Sequence, residues 1–147
     1  MKKFEWRLQR VLEIRIMQEQ KARVELFALT EKLAATRGEL LIQKKILENI
    51  IKNIAGKSAR ERLAEQELFL KNSVSSNERI KKLVKNIKEL ELQQKQKLDE
   101  VVKLRQAKEG MEKLQAQAKE VYIKEQEKFE QKEIDEESNI LFVRNHN

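Results

Sequence analysis

Apolar residues recur every seven positions through the first third of the chain: Leu26, Leu33, Leu40, Leu47 and Ile54 form one column, and Leu8, Ala22, Leu29 and Ile50 form its neighbour three residues on. Two such columns make the a/d seam of a coiled coil. The spacing predicts a helix from near Phe4 to Ala55, with Arg15, Glu19, Thr36 and Gln43 as polar seam members that lower stability and help to fix register. At about 1.5 Å per residue this helix is roughly 78 Å long. Only another long helix can cover its apolar face.

Ala55-Gly56 predicts a left-handed glycine cap, and Ser58-Ala59-Arg60-Glu61 reads as the capping box that starts a second helix. The predicted turn is therefore 56–58 and the second helix runs from 59 to about 137. Asn72-Ser73-Val74-Ser75-Ser76-Asn77 is a weak point, because Ser and Asn compete with helical backbone bonds. A second box at Ser75 to Glu78 offers an alternative start near 76. The seam of this helix reads Ile80, Leu83, Ile87 and Leu90, then Val101, Leu104 and Met111, with Gln94, Lys97 and Lys108 interrupting it. Beyond Leu98 the apolar stripe moves toward Met111, Leu114, Ala118, Val121 and Tyr122, which predicts a stutter. The tail from 138 to 147 loses the pattern and is expected to fray.

Two long helices joined by a short turn run antiparallel, so the fold class is all-α: a single coiled-coil hairpin domain over 1–147. Facing residues then have roughly constant summed numbers. A turn at 56–58 implies sums near 116, with Leu33 opposite Leu83, and leaves residues beyond about 112 unpaired. A longer excursion implies sums near 130, with Leu47 opposite Leu83. The first is the preferred register.

Composition narrows the function. The 147 residues include no Pro, no Cys, three Gly and 39% charged residues, a profile close to that of long helices and coiled coils. Without Cys there is no disulfide scaffold, thiol nucleophile or Cys-based zinc site, and His146 is the only histidine. The reading is a non-enzyme with no cofactor, metal or small-molecule substrate. No stretch has the apolar length of a bilayer span or the shape of a signal peptide, so a cytoplasmic protein is expected.

Charge is unevenly placed. Residues 1–60 hold 14 Lys/Arg against 7 Asp/Glu, while 61–147 hold 18 of each, so the whole net charge of +7 originates in the first part. From Glu125 to Glu137 seven acids face two lysines, a net of −5. The run Arg79, Lys81, Lys82, Lys85 and Lys88 raises nucleic-acid or membrane-surface binding as an alternative function, but Ile80, Leu83, Val84 and Ile87 interleave at core spacing and no aromatic residue stacks among them. A solvated helix face is the plainer account. The acidic run lacks the kinked loop and ligand spacing of an EF-hand. Trp6, Phe4 and Tyr122 are either partner anchors or caps on the end of the coil.

Both ends resemble a known family. Phe4-Glu5-Trp6-Arg7-Leu8-Gln9-Arg10-Val11-Leu12-Glu13-Ile14-Arg15 resembles the start of FliJ proteins of the bacterial flagellar type III export apparatus. Met111-Glu112-Lys113-Leu114, Tyr122, Glu125 and Gln131-Lys132-Glu133-Ile134-Asp135-Glu136 resemble their C-terminal signature. The resemblance covers about residues 2–137. It implies a coiled-coil hairpin similar to the central stalk of rotary ATPases, serving flagellum biogenesis, protein export and hence motility and chemotaxis. The implied partners are the flagellar export ATPase (FliI-like), the export gate protein (FlhA-like) and export chaperones, met at the cytoplasmic face of the inner membrane.

Combined with the preferred register, the resemblance gives candidate ATPase-binding residues in Lys2, Lys3, Arg7, Arg10, Leu114, Ala118, Val121, Tyr122 and Phe129. Phe69, Leu70 and Val74 are the candidates for docking on the export gate, although 72–77 departs from the continuous helix expected of the family. A monomeric, self-satisfied hairpin is expected. The alternative is a structural coiled-coil adaptor without an ATPase partner.

Overall fold

The computed structural model describes residues 3–146 and contains two α-helices, α1 (Gln9–Ala55) and α2 (Ala59–His146). The fold is all-α, with the two long helices packed against each other as a hairpin. The chain divides into two compact units, Lys21–Val101 and Met1–Gln20 with Val102–Asn147. Among the described residues no helix is long and apolar enough to cross a membrane.

The unit Lys21–Val101 contains the turn. α1 ends at Ala55 and α2 starts at Ala59, so the linker falls on 56–58 as the sequence predicts. The mechanism of the turn differs from expectation. No described residue, glycine or other, has a positive φ, so Gly56 is not a left-handed cap. Its N–H instead donates to the Lys52 carbonyl at 3.2 Å, continuing the helical pattern. On the far side the Arg62 guanidinium donates to the Lys57 carbonyl at 3.1 and 3.2 Å and Lys57 pairs with Glu65, while the backbone N–H of Arg62 donates to the Ser58 carbonyl at 2.8 Å.

In this unit Glu25 faces Lys97, Thr30 faces Gln94, and Arg37 faces Glu91. Their numbers add to 122, 124 and 128, so the register lies between the two expected ones and the preferred short-turn register is overturned. The reason lies at the start of α2. Residues in seam phase there are Arg62 and Gln66, which are polar, and the first bulky apolar residue in phase is Phe69, which shares a groove with Ile54. α2 therefore runs on for about two turns before its seam closes on α1. Leu33 and Leu90, level with each other in this register, are both buried, as are Ala22 and Val101.

The weak point at 72–77 does not interrupt α2. Ser73 turns its hydroxyl back onto the Leu70 carbonyl at 2.9 Å, a local bond that lets serine sit inside a helix. From Ser73 the half-buried and buried positions proceed in unbroken three-four alternation through Ser76, Ile80, Leu83, Ile87, Leu90, Gln94, Lys97 and Val101.

The other unit continues the same phase through Leu104, Lys108, Met111, Gln115, Ala118 and Tyr122. There is no stutter: the polar residues Lys108 and Gln115 are seam members, while Leu114 and Val121 lie off the seam, 48% and 55% exposed. α1 begins five residues later than predicted. No Ser, Thr, Asp or Asn stands before Gln9 to cap its free amides, no acid occupies its first turn, and Arg10 places a positive charge at the positive end of the helix dipole. Phe4 to Leu8 instead form an irregular lead-in whose Phe4 ring packs on Tyr122, centroids 5.4 Å apart and planes tilted by 55°. At its other end α2 remains helical to His146, so the predicted helix end near 137 is also corrected; Asn147 of the expected tail lies outside the described residues.

Gly38 and Gly110 lie inside helices with nothing within 4 Å of an added Cβ. Glycine costs a helix interior about 1 kcal/mol relative to alanine. Gly38→Ala and Gly110→Ala should each raise stability by roughly that amount, measured as a higher thermal midpoint by circular dichroism.

Candidate functional site

In the unit formed by 1–20 and 102–147, α2 lies beside the N-terminal lead-in. Gln115 donates to Gln9 at 2.7 Å, and the Phe4 ring packs at a tilt on Tyr122. The two stretches that carry the family resemblance thus meet. Tyr122 and Ala118 are half-buried by this pairing, which overturns the expectation that α2 is unpaired beyond 112; the half-buried seam positions continue to Gln126, and 127–145 are exposed.

The surface left for a partner is consequently smaller than the sequence implied. Leu114 and Val121, seven residues apart on one face of α2, remain exposed, and Phe129 is 59% exposed further along. Lys3, Arg7 and Arg10 are exposed at the lead-in and the start of α1. Lys2 lies outside the described residues. The structure also extends this surface by a strip that the sequence reading missed: Ile14 and Met17 line a shallow cleft with Trp6, Arg7 and Arg10. Its signal was present in the chain, since Ile14 and Met17 fall opposite the a/d columns where a solvated helix would carry polar residues.

The same unit holds a buried carboxylate in its seam. Glu19 occupies a seam position with 1% exposure, its oxygens 3.6 Å from the Arg105 guanidinium and 3.8 Å from the Lys108 ammonium. The two cations come from one side of α2 and keep contact with water, Arg105 more than Lys108.

The gate-docking candidates lie in the other unit. Leu70 and Val74 are exposed one helical turn apart, while Phe69 is half-buried and turned toward α1. They do not form one surface patch of three. Also in this unit, Lys97 donates to Glu25 at 2.6 Å and to Glu100 at 2.9 Å. The hydrogen bond from Lys97, and then its charge, hold the Glu25 carboxyl below the usual value of 4.5, and the bonds to Glu25 and Glu100 raise Lys97 above 10.5.

The sign for stability follows from those directions. A carboxyl depressed in the folded state stabilises above its unfolded pKa, and that contribution disappears as pH falls through the folded value. The Lys97 contribution is complete below 10.5 and disappears as pH rises beyond it. Glu25→Gln should therefore lower stability at neutral pH slightly and flatten the loss below pH 4.5, a comparison read from urea midpoints across pH. The pair is solvent-accessible, so the difference is small and shrinks in salt.

Among the described residues no group of three or more Asp, Glu or His is placed to hold a metal ion. Comparison with protein-family models, curated proteins and solved structures finds no match.

Proposed function

We propose that the chain is a non-enzymatic component of a flagellar-type export apparatus, which binds the export ATPase through the unit formed by 1–20 and 102–147 and promotes its assembly and activity. The observation that carries this reading is the packing of the two family-like stretches on each other, with Phe4 on Tyr122 and Gln9 on Gln115. Heptad repetition requires neither pair. The two-helix hairpin is also the form that the resemblance implies.

On this reading Leu114, Val121 and Phe129 supply the apolar contacts and Lys3, Arg7 and Arg10 the charge, while Tyr122 and Ala118 position the face from within the seam. Amphipathic helices are held in grooves by anchors of this spacing. Contact with the export gate through Leu70 and Val74, and escort of chaperones, are further parts of the proposal. The location is then the cytoplasmic face of the membrane at the flagellar base.

The test is reconstitution with the export ATPase from the same source. Wild-type chain should stimulate hydrolysis, and Leu114→Asp with Val121→Asp should reduce apparent affinity by about tenfold or more, the equivalent of 1.4 kcal/mol. Both positions are exposed and off the seam, so helicity should be unchanged. Absence of stimulation by the wild-type chain would leave the coiled-coil adaptor as the better reading.

A further inference from the structure

The hairpin seam contains a gap. In the Lys21–Val101 unit, the observed register brings Ser73 and Ser76 to seam positions level with Ile50 and Leu47, where a coiled coil ordinarily places two apolar side chains. The shortfall in side-chain volume leaves a groove of about 260 Å³ lined by Leu47, Ile50, Ile54, Phe69, Ser73 and Ser76. Apolar side chains form much of its wall, the small serines leave it open, and Asn53, Lys57, Glu65 and Asn72 supply a polar edge.

The surroundings of this groove are positive in net charge: Lys57 and Glu65 at its edge pair with each other, and residues 41–88 hold 12 Lys/Arg against 5 Asp/Glu. The unit carries 18 Lys/Arg against 12 Asp/Glu, accounting for +6 of the chain's +7. On α1, residues 41–57 hold four lysines and one acid, and on α2, residues 79–88 hold five cations and no acid. The complementary feature belongs to the same chain. Glu125 to Glu137 is helical, exposed except for Gln126, carries a net charge of −5, and presents Phe129 and Ile134 at 59% and 56% exposure.

We propose that the acidic end of α2 from a second copy docks on this groove, with Phe129 entering the space above Ser73 and Ser76 and the surrounding acids facing the lysines of α1 and the 79–88 cluster. The contact joins two different surfaces, so each copy offers one donor end and one acceptor groove. A heterologous contact of this kind propagates head to tail. It also assigns a use to the basic run at Arg79 to Lys88 that needs no nucleic acid. The inference does not rest on the proposed ATPase partner, although Phe129 serves in both readings and occupies one partner at a time.

Two variants separate the surfaces. Ser73→Leu with Ser76→Leu fills the groove with residues the seam accommodates, and Phe129→Asp removes the donor from an exposed position. In sedimentation velocity at 50 mM salt, the wild-type weight-average mass should rise with concentration above the 17.5 kDa monomer. Because the complementary charges are screened by salt, association should weaken about tenfold or more at 500 mM. Each variant alone should remain monomeric with unchanged helicity. An equimolar mixture of the two retains one intact donor and one intact groove, and should form a species limited to about two chains, roughly 35 kDa by doubling the monomer mass. A wild type that stays monomeric at every concentration in low salt overturns the proposal, even if an unrelated acidic helical peptide binds the groove. Variants that associate as well as the wild type overturn it too.

Discussion

Cysteines in place of Gln9 and Gln115 should form an intramolecular disulfide in high yield under mild oxidation. The two side chains hydrogen-bond across the unit that contains both helix segments, which places the two positions level in the seam, and the chain has no other cysteine to compete. The bond would close a loop spanning 106 positions. On the chain-entropy relation, a loop of that size contributes about 4 to 5 kcal/mol, the largest stabilisation expected of any single change here. Leu33→Cys with Leu83→Cys reports the short-turn register, and Leu47→Cys with Leu83→Cys reports the long excursion. Both should crosslink poorly beside the Gln9 and Gln115 pair. Non-reducing gels resolve all three, and dominance of either control would move the register by about a heptad.

That experiment bears on what the sequence could and could not say. The helices, the turn at 56–58 and the α1 seam were legible because heptad columns and a glycine-serine break leave few other arrangements. The α1 positions listed by spacing are buried or half-buried almost throughout, down to the polar members Glu19, Thr36 and Gln43. Register was not legible from the apolar columns, which repeat and so match at every heptad. It is the polar seam members that distinguish one match from the next. In the observed register Gln9 meets Gln115, Thr30 meets Gln94, and Glu25 meets Lys97. At sums near 116 Gln94 would instead lie level with Ala22. Polar residues read as interruptions were carrying the alignment.

The candidate surface shows the same dependence. Moving the register by about one heptad brings α2 further alongside the N-terminal lead-in, and Tyr122 changes from a projecting anchor to a packing partner of Phe4. Leu114 and Val121 kept their exposure for a different reason from the one expected: they lie beside the seam and not beyond its end. The stutter was inferred by following apolar residues where the true seam runs through Lys108 and Gln115.

The charged layer around Glu19 leads to the second large effect. A carboxylate 1% exposed pays a desolvation penalty that its neighbours must offset, and here Arg105 and Lys108 approach to 3.6 and 3.8 Å. Removing both cations, as Arg105→Ala with Lys108→Ala, should destabilise the hairpin by about 3 kcal/mol, because the negative charge stays buried with much of its counter-charge gone. Glu19→Leu should behave in the opposite way. It places an apolar side chain in the column that already contains Leu12, Leu26 and Leu33, and it strands no buried cation, since both partners can turn toward water. The leucine variant should match or exceed wild-type stability in urea unfolding. Its cost should appear in specificity: with one polar layer replaced by an apolar one, neighbouring registers become closer in energy. Carried on the Glu19→Leu background, the Gln9 and Gln115 cysteine pair should therefore crosslink less completely and the two control pairs more so. Unchanged crosslinking with raised stability would show that the remaining polar layers, Gln9 with Gln115 and Glu25 with Lys97, suffice to hold the alignment.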